Sequence, residues 1–332
     1  MQAQKGTPGV VVGYDGSEFA VRALDWASDE AHLRHRPLTL CHAWERSYGT
    51  AAPAAHRAAD GGTGPVDEET PRRVAEQVVE HGVNRARAHL PEGAVLVDLY
   101  EGPAADRLLE LSAAAELVVV GACGLGEAER AAAAAPGSPA RTTPGPLGRG
   151  PSAATGAVAY ADTVTRAGGP VGSVRRAVAA RARCPVIIVP REGTPPPHGP
   201  IAVGVDGGCE RVLEFACREA AMRHVPLVAV HCWRHDPEIV AASGVYEPTV
   251  VRAAAEERVA RVIEPWRLRY PDVTIRVSAA EGPSRQELLE AALDAALLVV
   301  GAPHSRCGSM TAFLLNHAPC PVAIVRTQEV DP

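Results

Sequence analysis

One aspartate, two spaced glycines and a glycine–serine pair are the residues of this chain whose types and places could do chemistry. Asp15 follows a short β-branched run in Gly9-Val-Val-Val-Gly13-Tyr14-Asp15-Gly16-Ser17. Gly121 and Gly124 follow a second run, Leu117-Val-Val-Val120-Gly121-Ala-Cys-Gly124, and Gly172-Ser173 opens a later helical stretch. A carboxylate accepts hydrogen bonds from an amine or a hydroxyl, such as an adenine amino group or a ribose. Glycine has no Cβ, so bare backbone can approach a ligand closely. A helix start offers unpaired N–H groups and the positive end of the dipole to an anion, and Ser173 adds a hydroxyl donor. Together these parts would hold a nucleotide, base toward Asp15 and phosphates toward Gly172.

Each feature also has a plainer reading. Asp15 could simply form a turn with Gly16, as Asp-Gly often does. Gly172-Ser173 could merely start a helix. Arg175 and Arg176 stand within reach of phosphates, although arginines on a helix are more often solvated. His42 and His231 recur just before Trp44 and Trp233, a match that reads as strand-end packing. No second ligand lies at metal spacing from either, so no metal site is expected. Cys123 and Cys307 lack a visible cationic activator and read as inert. Lysine occurs once, at Lys5, and no Gly-x4-Gly-Lys-(Ser/Thr) loop exists. No residue set marks a base or a water-orienting group for phosphoryl transfer. The expectation is a binder with at most weak ATP hydrolysis, and not a dedicated enzyme.

The elements that must position these residues occur twice. Val10–Gly13 with Asp15 is matched by Ile201-Ala-Val-Gly-Val205-Asp206, and Leu117-Val-Val-Val-Gly121 by Leu297-Leu-Val-Val-Gly301. Gly172-Ser173 to Cys184-Pro-Val186 is matched by Gly308-Ser309 to Cys320-Pro-Val322. A repeat of this size argues for two tandem copies of one fold. Strands are expected at Val10–Gly13, Leu38–Trp44, Ala94–Tyr100, Leu117–Val120 and Val186–Val189, with helices between them. The second copy repeats the order, from Ile201–Val205 through Val273–Val277 to Val322–Val325. Continuous apolar strands alternating with helices imply a parallel sheet covered on both faces. The Pro-rich link from Arg191 to Pro200 divides the copies, giving domains 1–192 and 199–332. Tyr48–Gly64 is expected to be loop. About 126–170 lies a low-complexity insert of Ala, Gly, Pro, Arg and Thr, expected to be disordered. The last strands, Val186–Val189 and Val322–Val325, are expected edge to edge about a pseudo-twofold axis, an intrachain pseudo-dimer. Association of two such chains into a homodimer stays open.

The bulk composition narrows the function. A net charge of −6 weighs against a nucleic-acid partner. No stretch approaches the roughly 18 apolar residues that span a bilayer, and the N-terminus has no signal-peptide core. Eight cysteines are scattered singly, with no Cys-x-x-Cys, which suits reduced thiols in the cytoplasm.

The duplicated pattern resembles the universal stress protein family in its tandem form, over nearly the whole chain apart from the insert. The resemblance implies an α/β fold of two tandem Rossmann-like (adenine nucleotide alpha hydrolase-like) domains. Each would be a five-stranded parallel sheet flanked by helices, paired through the last strand. It also implies ATP binding in some members, with Mg2+ carried by the phosphates, and a stress-response or signalling role. Nucleotide-binding members carry Gly-x2-Gly-x9-Gly-(Ser/Thr) after the fourth strand. Carried over, the aspartate matches Asp15, with Gly13 and Tyr14 before it. The paired glycines match Gly121 and Gly124, and the closing pair matches Gly172 and Ser173, followed by Val174. Val120 and Ala43 fall where the family contacts base and ribose. In the first half the insert replaces the x9 spacer, so it must loop out. In the second half His304 replaces the second glycine, and Gly208-Cys209 replaces the serine-led helix start. The second site is therefore expected to be empty or weaker. The alternative is a scaffold without nucleotide that acts through a protein partner. An adenylate-forming enzyme is disfavoured, because neither His-x-Gly-His nor Ser-Gly-Gly-x-Asp-Ser occurs.

Overall fold

Valine- and leucine-rich runs without a polar alternation suit strands buried on both faces, and such runs supply the centre of this molecule. The computed structural model describes residues 9–44, 70–123, 173–193, 196, 198–206, 209–233, 248–303 and 308–327. The first half contains β1 (Val10–Gly13), α1 (Glu18–Arg34), β2 (Leu38–Trp44), α2 (Thr70–Ala86), β3 (Val95–Glu101), α3 (Ala104–Leu111), β4 (Leu117–Gly121), α4 (Ser173–Arg181) and β5 (Val186–Val189). The second half contains β6 (Ile201–Gly204), α5 (Glu210–Arg223), β7 (Leu227–Trp233), α6 (Pro248–Arg269) and β8 (Ile275–Glu281). It ends with α7 (Ser284–Leu293), β9 (Leu297–Ala302), α8 (Ser309–His317) and β10 (Val322–Arg326).

Among the described residues ten strands form one sheet, in the order β3-β2-β1-β4-β5-β10-β9-β6-β7-β8. Each half contributes five parallel strands, and the halves join where β5 meets β10 antiparallel. Ala323 lies opposite Ile187 there, with Val322 opposite Ile188 and Ile324 opposite Val186. The expected edge-to-edge placement of the two last strands is thus observed. Burial of Ile187 and Ala323, both fully shielded from water, holds this joint. One apolar layer lies under α1, α2, α5 and α6, and a second under α3, α4, α7 and α8.

The two outermost strands run further along the chain than the apolar runs suggest. β3 covers Val95–Glu101 and β8 covers Ile275–Glu281, where the sequence predicts Ala94–Tyr100 and Val273–Val277. Their ends are set by ladders with β2 and β7, pairing Trp44 with Glu101 and Trp233 with Glu281. Those hydrogen bonds do not depend on side-chain polarity, so hydropathy does not mark them. The expected loop at Tyr48–Gly64 and the insert at about 126–170 lie outside the described residues.

A charge cluster ties α1 to α5 across the joint. Arg34 pairs with Glu30 at 2.7 Å, with Glu116 at 2.6 Å and with Glu219. Arg223 pairs reciprocally with Glu219 and Glu30. The Arg34 guanidinium lies 5.8 Å from the Phe215 ring centre, and the Arg223 guanidinium lies 5.5 Å from that of Trp26. Each helix therefore presents an aromatic ring, a glutamate and an arginine at i, i+4 and i+8 to the other, Trp26-Glu30-Arg34 from α1 and Phe215-Glu219-Arg223 from α5, as an isologous contact does.

Candidate functional site

The chain runs outward in opposite directions on the two sides of β1, which lies between β2 and β4. Ligands of open parallel sheets sit beyond the carboxyl ends of the strands at such a switch point. The ladders pair Gly13 with Cys41 and Val12 with Val119. Asp15 therefore follows β1 beside the ends of the strands that carry Ala43 and Gly121.

Asp15 stands in a tight turn. Its Oδ1 accepts a hydrogen bond from the Ser17 N–H at 3.0 Å, and Gly16 takes φ +81° to make the bend. The Ser17 hydroxyl accepts from the Ala20 N–H at 3.1 Å and caps α1. The turn reading of Asp15 is correct, and the turn leaves the carboxylate half-buried at the strand ends.

Tyr14, expected in the ligand set, has its side chain inside the core. It is 3% exposed. Its N–H donates to the Cys41 carbonyl at 2.9 Å, and its carbonyl accepts from His42 Nδ1 at 2.7 Å. Its hydroxyl is hydrogen-bonded to His81 Nδ1 at 2.7 Å. Burial pushes the Tyr14 pKa up, so the phenol stays neutral. The Tyr14 side chain thus supports Asp15 from behind.

The glycines are explained in part by packing. A Cβ on Gly121 would lie 2.7 Å from the Phe19 carbonyl oxygen, so the first turn of α1 occupies the space a side chain would take. A Cβ on Gly13 would meet Leu108 at 3.1 Å and Val120 at 3.2 Å. The Val120 side chain is buried in the layer under α3 and α4, while Ala43 is half-buried. Ser173 opens α4, and Val174 packs against the same layer as Val178. Gly124 and Gly172 lie outside the described residues. Arg175 is not a phosphate arm: it is buried, and its guanidinium donates to the Leu315 carbonyl at 3.2 Å and to Asn316 Oδ1 at 3.1 Å. Arg176 is exposed.

Sequence reasoning missed how the site is held. His42, read as packing, bonds the backbone next to Asp15, and His81 was not singled out. The signal for His42 was its duplicate: His231 Nδ1 bonds the Val205 carbonyl at 3.0 Å, one residue before Asp206. In the second half the residue that caps α5 is Cys209, which is buried and makes no side-chain cap hydrogen bond. Asp206 is exposed there, and His304 lies outside the described residues. Among the described residues no group of three or more His, Cys, Asp or Glu could hold a metal ion, and no helix is long and apolar enough to cross a membrane.

Comparison with known proteins accounts for this architecture. The sequence profile of the universal stress protein family matches residues 9–135 and again 198–326. The chain is 29% identical over 334 residues to Universal stress protein Rv2005c of Mycobacterium tuberculosis, covering 96% of this chain and 97% of the relative. It is 31% identical over 313 residues to Universal stress protein Rv2623 of the same organism, covering 91% and 88%. The crystal structure of a universal stress protein from Archaeoglobus fulgidus superposes with a TM-score of 0.60 at 13% identity, covering 98% of both chains, and supports the fold. Two copies of the family domain, a shared ten-strand sheet and full-length relatives lead to one assignment: the chain belongs to the universal stress protein family.

Proposed function

We propose that the first half binds an adenine nucleotide, ATP foremost, at the carboxyl ends of β1, β2 and β4. The protein then works in the cytoplasm as a stress-response or signalling binder and not as a dedicated catalyst. The observation that carries this reading is the turn that fixes Asp15 at the topological switch point, beside the ends of the strands bearing Ala43 and Gly121. The residues present fit the base and ribose end of such a ligand. Asp15 offers a carboxylate acceptor, and Gly121 and Ala43 leave the strand ends nearly free of side chains. The phosphates would be held by Gly124, Gly172 and Ser173 at the start of α4, where the helix dipole favours an anion. Any Mg2+ would arrive on the phosphates. The described cysteines are free thiols, which suits a reducing compartment. Residues 1–192 and 199–332 are assigned as the two domains, with the nucleotide in the first.

Calorimetric titration with ATP tests the reading. Wild type is expected to bind saturably, and Asp15→Ala to bind about 10-fold or more weakly, from loss of a charged acceptor. Equal binding by both forms, or binding by neither, would overturn it. The second of those outcomes would favour a scaffold acting through protein partners.

A further inference from the structure

The chain makes one imidazole–backbone bond twice, and in the sequence only one copy goes with the paired glycines and the serine-led helix start. His42 Nδ1 lies 2.7 Å from the Tyr14 carbonyl, and His231 Nδ1 lies 3.0 Å from the Val205 carbonyl. In both halves the preceding ladder ends in the same way, with Tyr14 N–H donating to Cys41 and Val205 N–H donating to Val230, each at 2.9 Å. The pairing of β1 with β2 stops at Gly13 and Cys41. Past that point the imidazole takes over as the tie between the two strand ends. It joins the residue before Asp15 to the residue before Ala43.

A carbonyl oxygen only accepts, so Nδ1 carries the proton. Burial holds the His42 ring below the usual imidazole range, so the ring is neutral near pH 7. Both partners are buried, and an unbonded buried carbonyl would be costly. The bond therefore fixes the peptide that leads into Asp15.

We infer that His42 is the positioning residue of the first-half site, holding the Tyr14–Asp15 peptide so that the Asp15 carboxylate faces an adenine nucleotide at the ends of β2 and β4. The inference rests on the nucleotide reading of that site and adds a residue outside the set carried over from the family. His231 makes the equivalent bond where the second half lacks the paired glycines and the serine-led helix start. The molecule thus supplies its own control.

The test uses the full chain and ATP, with calorimetric titration and a thermal unfolding midpoint for each form. His42→Leu removes the donor. His42→Asn places an amide N–H close to the position of Nδ1 and restores it. His231→Leu removes the matching bond in the second half. The expected results are an affinity loss of about 10-fold for His42→Leu, recovery to within about 2-fold for His42→Asn, and wild-type affinity for His231→Leu. The two leucine variants should lose comparable thermal stability. Should His42→Leu not fold, His42→Gln serves in its place, because its amide reaches the Nε2 position and leaves the Tyr14 carbonyl unserved. Nitrogen NMR of the wild-type ring is expected to report a protonated Nδ1. Wild-type affinity in His42→Leu, no recovery in His42→Asn, or an equal affinity loss in His231→Leu would each overturn the inference alone. Failure of the wild-type chain to bind ATP would remove the nucleotide reading and this inference with it.

Discussion

Replacing Arg34 by methionine tests the charge cluster between the halves. The Arg34 side chain is 2% exposed, against 1% for Glu30 and 0% for Glu219. Methionine keeps much of the apolar stem and fills the space beside Phe215. It removes the guanidinium that three carboxylates share, Glu30, Glu116 and Glu219. Glu30 and Glu219 are then left buried with Arg223 as their shared partner. Breaking a buried pair in this way costs about 3–5 kcal/mol, because an uncompensated charge remains out of water. The assay is urea unfolding of the full chain, followed by circular dichroism and by tryptophan fluorescence, since Trp26 lies at the seam. Adding Glu219→Leu removes one charge of each sign and should recover at least half of the loss. A single-variant cost below about 1 kcal/mol would mean the cluster behaves as an exposed ion pair. A double variant that costs the sum of the two singles would mean the charges are uncoupled. Either result would refute the reasoning.

Two further perturbations follow from the same geometry. Burial and the neighbouring Glu30 carboxylate push the Glu219 carboxyl up, above its ordinary 4.5. The folded chain then holds a proton that the unfolded chain has lost, so this contribution is full below pH 4.5 and is lost as pH rises through the raised folded value. Wild type should therefore lose stability relative to Glu219→Gln as pH rises across that range, and a pH-independent difference in denaturation midpoint would contradict it. Gly121→Ala puts a methyl group 2.7 Å from the Phe19 carbonyl oxygen, a backbone atom that cannot swing aside as a side chain would. It should cost about 1–3 kcal/mol by thermal unfolding, and an unchanged midpoint would show that α1 yields freely.

The order of strands and helices was legible because each buried strand is a continuous apolar run and each copy corroborates the other. Val10–Gly13, Leu38–Trp44 and Val186–Val189 match their predicted bounds for that reason. The ends of β3 and β8 were not legible, since cross-strand hydrogen bonds extend them through Glu101 and Glu281. The joint between the halves was foreseen in its strands but not in its charges. Glu30 and Arg34, like Glu219 and Arg223, have the i, i+4 spacing of ordinary surface pairs, and only their equivalent places in the two copies set them apart. Asp15 was singled out by its place after β1. The inward turn of the Tyr14 side chain was not legible, because adjacency to Asp15 says nothing about which way a side chain turns. Gly121 was assigned to a ligand although the approach of α1 also demands it, and spacing cannot separate two reasons for one missing Cβ. Arg175 was weighed as a phosphate contact, but its partners Leu315 and Asn316 come from the other half of the chain, a proximity no local pattern reveals.

Mass spectrometry of the small molecules released from purified full-length protein, quantified per chain, addresses the nucleotide site most directly. The account predicts an adenine nucleotide at close to one per chain, lost from Asp15→Ala. Recovery of no nucleotide, together with no saturable uptake of added ATP, would contradict it.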